Sequence, residues 1–110
     1  MRLHIKKVFY KNSRPGQEPC KYEASQPNGV NTDVYATIKL DPILKKKKLR
    51  AIRNGMLKHE TVEITRWGQG DRYSHRDAER QEPLITRVKI KNVSGFWNHV
   101  DKMKKKGELK

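Results

Sequence analysis

The chain has 110 residues, 34% of them hydrophobic, and its 26 Lys and Arg outnumber 12 Asp and Glu to give a formal net charge of +14. That length suits one small domain and is too short for two ordinary ones. No apolar run approaches the roughly 20 residues that a membrane-spanning helix needs, and Cys20 stands alone, so no internal disulfide can form.

The charge is concentrated rather than spread. The stretch 42–58, PILKKKKLRAIRNGMLK, holds seven bases and no acid, and 84–110 holds eight bases against two acids. A folded body with two basic segments points to a polyanion partner. The first ten residues alternate apolar and polar and lack the continuous apolar core of a signal peptide. With the single cysteine, that makes a cytoplasmic protein the simplest expectation. Four histidines and one cysteine show no paired metal-ligand spacing, so neither a zinc site nor a cofactor is expected.

In chain order, Leu3, Ile5 and Phe9 recur with a period near two, interrupted at Lys7, which predicts a first strand that loses regularity at its end. A long polar loop at 11–33 follows, with turn signals at Pro15-Gly16 and Asn28-Gly29 and room for an extra strand around Tyr22. VYATIKL at 34–40 alternates cleanly, Val34, Ala36, Ile38 and Leu40 against Tyr35, Thr37 and Lys39. Asp41-Pro42 then supplies a capping side chain and a proline for the first helical position. On that helix Leu49, Ile52 and Met56 form an apolar sector, Lys46, Lys47, Arg50, Arg53 and Lys58 gather opposite, and Gly55 offers a left-handed stop.

TVEITRW at 61–67 alternates again and reads as a strand, with Val62 and Ile64 inward. A polar loop at 68–83 leads to LITRVKIKNV, a fourth strand with Arg87, Lys89 and Lys91 outward. Ser94 is positioned to cap a last helix whose stripe is Phe96, Trp97, Val100 and Met103, ending in a fraying basic tail at 104–110. The stretches 38–55 and 90–107 share this strand-to-helix-to-glycine punctuation. The expected fold is α+β, a four-stranded, mainly antiparallel sheet with two helices packed on one face, in the order β-β-α-β-β-α. Its open face would carry Lys39, Arg87, Lys89 and Lys91 with Tyr35 and Trp67, diluted by Glu60 and Glu63.

Two surfaces then suit nucleic acid. Lys46, Lys47, Arg50 and Arg53 form a helix face without acids to offset their repulsion, and bound phosphates would relieve it. Bases interleaved with aromatics on the sheet would suit a single strand. Lys104 and Lys105 would add affinity from the basic tail. The expected activity is non-catalytic binding of DNA or RNA, DNA slightly ahead, as in a phage, plasmid or regulatory accessory factor, with no membrane partner. An alternative is a small toxin-like endoribonuclease in which His75 carries protons while Arg72 and Arg76 hold the phosphate. A ribosome-associated structural RNA-binding protein and a binder of an acidic protein surface complete the alternatives.

Overall fold

The computed structural model describes residues 1–14, 16–71 and 93–109. Among these, three strands form one mixed sheet: β1 (Leu3–Tyr10), β2 (Cys20–Ser25) and β3 (Val34–Leu40), in the order β1-β3-β2. β3 is central, parallel to β1 and antiparallel to β2. Two short 3-10 turns, Pro42–Lys45 and Lys47–Leu49, run into α1 (Arg50–Gly68), and α2 spans Val93–Lys105.

β3 forms where the alternation places it, and its Val34, Ala36, Ile38 and Leu40 are all buried. The polar loop at 11–33 does contain a strand, β2, so the sheet's second member comes from that loop. The expected four-stranded, mainly antiparallel sheet is therefore corrected to three strands of mixed direction. The loop 11–19 wraps the end of β3, with Lys11 N–H donating to the Leu40 carbonyl and Asp41 N–H to that of Pro19. This is how β1 and β2 come to flank β3 instead of pairing with each other.

Asp41 caps as its position predicts. One carboxylate oxygen accepts from Ile43 N–H at 2.9 Å, and the other from Ser13 N–H at 2.8 Å. The chain begins in 3-10 turns and becomes α-helical only at Arg50. It then passes straight through Gly55, which lies buried on the inner side. A mid-helix glycine costs roughly 1 kcal/mol relative to alanine, less than the burial of the next apolar positions returns.

The strand expected at TVEITRW is likewise corrected: those residues are the second half of α1. Their β-branched content favours a strand in isolation, yet the inner row of the helix steps by four through Ile52, Met56, Glu60, Ile64 and Gly68, an i±4 ridge laid against the sheet. Thr61 and Thr65 satisfy their hydroxyls on the carbonyls four residues back, each at 2.8 Å. The glycine that ends the helix is Gly70, at φ 80°. Gly70 N–H donates to the Trp67 carbonyl and Asp71 N–H to that of Arg66, the paired bonds of a left-handed helix stop. Gly68 lets helix and sheet meet, since a Cβ there would lie 2.5 Å from Val34 Cγ2.

Both helices cover one face of the sheet. Phe96, Val100 and Met103 of α2 join Ile38, Leu40, Leu44, Leu49 and Ile52 in the larger core cluster, while Val34, Ala36 and Ile64 form a smaller one. Trp97 donates from its indole nitrogen to the Gln17 carbonyl at 2.7 Å, tying α2 to the 11–19 loop. Gly107, at φ 71°, closes α2 in the way Gly70 closes α1, and Leu109 packs back on the core. The fourth strand expected at LITRVKIKNV lies outside the described residues except for Val93, which is helical.

Candidate nucleic-acid interface

Among the described residues the helices pack on one face of the sheet only, and strand register decides what stands on the other. Opposite residues on neighbouring strands share a face. Between Ile5 and Lys7 the pairing of β1 with β3 shifts by one residue. This bulge re-phases the strand: His4 lies opposite Tyr35 before it, and Lys7 and Phe9 lie opposite Thr37 and Lys39 after it. On the other side, Ser25, Glu23 and Lys21 lie opposite Tyr35, Thr37 and Lys39.

Three rows therefore cross the open face: His4, Tyr35, Ser25; then Lys7, Thr37, Glu23; then Phe9, Lys39, Lys21. Side-chain contacts agree with this placement. The rings of His4 and Tyr35 stack at 4.9 Å with planes 13° apart. Lys6, the residue at the bulge, holds its ammonium 4.9 Å from the Tyr35 ring centre, and Lys7 holds its own 5.1 Å from that of Phe9. A shallow open depression runs beside Tyr35, lined among others by Lys6, Glu23, Ser25 and Thr37.

Among the described residues, four lysines, an imidazole and two rings thus share a face with Glu23, and Asp33 stands at its end, a carboxylate oxygen 3.5 Å from His4 Nε2. Lys21 and Lys39 stand directly opposite each other, an arrangement of like charges that costs stability and that a phosphate between them would relieve. Rings among cations can stack bases while the ammonium groups follow the backbone, a pattern suited to unpaired strands.

The residues expected to bind are distributed otherwise. Lys46 and Arg53 are half-buried, and Lys47 and Arg50 exposed, along the 3-10 turn and first turn of α1, in the helix layer on the far side of the sheet. Lys104 and Lys105 are exposed at the end of α2. Lys45 links the basic turn to the sheet edge, its ammonium 4.6 Å from the Tyr10 ring centre. Trp67 and Glu63, expected on the open face, belong instead to α1, and Glu60 with them. Arg87, Lys89 and Lys91 lie outside the described residues, as does the alternative centre at His75 with Arg72 and Arg76.

Sequence alternation does not place His4, Lys6, Lys7, Phe9 and Lys21 on this face, because the first strand's period breaks at Lys7 and β2 sits in a segment that reads as loop. The break itself was the available signal, since an interrupted period of two is what a bulge leaves in a sequence. Cys20 is buried, and burial, aided by the charges of Glu60 and Glu18, pushes its thiol pKa up, so it is a protonated core residue rather than a nucleophile. Among the described residues no helix is long and apolar enough to cross a membrane.

Comparison with protein families, with curated proteins and with solved structures finds no match in any of the three. The site therefore stands on its own residues.

Proposed function

We propose that this protein binds single-stranded nucleic acid without transforming it, laying the strand across the open face of the sheet. The observation that carries the reading is the set of three cross-strand rows, with Lys6, Lys7, Lys21, Lys39 and His4 around Tyr35 and Phe9. The ammonium groups take phosphates and the rings take bases. The acid-free segment from Lys45 to Arg53 adds long-range attraction, raising the rate of encounter. Cytoplasmic residence goes with this reading, as a lone buried thiol needs no oxidising compartment.

The test is a fluorescence-anisotropy titration against a labelled single-stranded DNA, the same sequence as RNA, and the duplex, each repeated at two salt concentrations. If four phosphates are engaged on the face, the logarithm of affinity for the single strand falls with that of salt at a slope of about −3. Both single strands should bind more tightly than the duplex and remain intact on a denaturing gel. Duplex preference would move the site to the helix layer, and cleaved RNA would end the non-catalytic reading.

A further inference from the structure

On the covered side of the sheet a polar seam separates the two apolar clusters. It is built from α1 and β2. His59 Nε2 lies 3.0 Å from a carboxylate oxygen of Glu63, one helical turn on. The Tyr22 hydroxyl donates to the other oxygen of Glu63 at 3.3 Å. Glu60, next to His59 in sequence and on the inner row, completes the group. One ligand atom from each of His59, Glu60 and Glu63 lies within 4.8 Å of the others. His59 is buried, and both glutamates are half-buried.

We propose that His59, Glu60 and Glu63 form a binding site for a divalent transition-metal ion, with Tyr22 as the outer partner that orients Glu63. The geometry is close to what the chemistry requires. Imidazole nitrogen and carboxylate oxygen bind Zn2+ at about 2.0–2.2 Å, so two ligands of one ion stand about 3.0–3.5 Å apart. The His59 and Glu63 atoms already have that spacing, and a carboxylate oxygen of Glu60 lies within 4.8 Å of both. One imidazole with two carboxylates suits Zn2+ or Mn2+, whereas Ca2+ and Mg2+ take all-oxygen sets. A hydrogen bond that fixes a liganding carboxylate is the usual support of such a site.

A search for His and Cys pairs passes over this cluster, because two of its three donors are carboxylates and TVE reads as a strand. The helix places positions 59, 60 and 63 together. The site lies under the sheet rather than on its open face, so it is independent of the nucleic-acid reading.

Chelator-treated protein titrated with Zn2+ in a calorimeter tests the proposal, with Co2+ absorption as the second readout. One Zn2+ per chain should bind, and Co2+ should give visible bands without a strong thiolate charge-transfer band, since Cys20 is outside the donor set. Glu60→Gln, which leaves the bonds among His59, Glu63 and Tyr22 in place, should weaken Zn2+ binding at least tenfold while circular dichroism is unchanged. Glu63→Gln should do the same, and Tyr22→Phe should weaken binding by about tenfold, the lower end of outer-partner effects. Zn2+ affinity unchanged in both glutamate variants, or no binding at all, would overturn the assignment.

Discussion

Replacing Lys7, Lys21 and Lys39 together by glutamate lowers affinity for single-stranded nucleic acid by roughly 100-fold or more. Exposed charge contacts are each worth up to about 1 kcal/mol, and three together approach that factor before the added repulsion counts. The salt slope should flatten in the same variant, because fewer counterions are released on binding. Stability should change little. Lys21 and Lys39 already form a like-charge pair across the sheet, and glutamate at both positions leaves a like-charge pair of the opposite sign. The companion variant reverses Lys46, Lys47, Arg50 and Arg53. It removes long-range attraction and should cost clearly less, mostly in the association rate. If the order of the two effects were inverted, the helix layer would be the contact surface and the open face a solvated one.

The largest stability effect is expected at Phe96. Its side chain is fully buried and belongs to the cluster that includes Leu40, Leu44, Leu49 and Ile52, so it joins α2 both to the sheet and to the start of α1. Truncating a buried phenylalanine costs about 3–5 kcal/mol. A domain of this size has a total stability of about 5–15 kcal/mol. Phe96→Ala should therefore move the urea midpoint down sharply, with the slope of the transition unchanged. A loss below about 1 kcal/mol would mean that α2 contributes little to the core.

How much of this was legible in the residues differs by element. β3 was plain, since its buried and half-buried positions alternate without a break and no local signal competes. The stripe of α2 was plain too: Phe96, Val100 and Met103 return at helical spacing and are all buried. α1 was half legible. Asp41-Pro42 marked the 3-10 turn that precedes it rather than its own start at Arg50, Gly55 looked like a stop, and the β-branched residues after it looked like a strand. What overrides them is tertiary: the row from Ile52 to Gly68 fits the sheet, a fact about the partner surface rather than about the segment.

The candidate site was less legible than the fold. Tyr35 and Lys39 could be assigned to the open face from their own strand. Lys7 and Phe9 could not, because the bulge in β1 changes which residues face out. Lys21 required knowing that a strand lies inside a loop rich in Pro, Gly and Asn. The seam of His59, Glu60 and Glu63 was hidden for the same reason as α1 itself, since carboxylates on an inner helix row cannot be seen until the helix is.

The most direct measurement is a map of backbone amide chemical shifts during titration with a single-stranded oligonucleotide. The largest changes should fall on His4, Lys7 and Phe9 of β1, on Tyr35 and Lys39 of β3, and on Lys21 of β2, with α1 and α2 nearly still. Changes confined to residues 45–53 and the end of α2, with a silent sheet, would contradict the account.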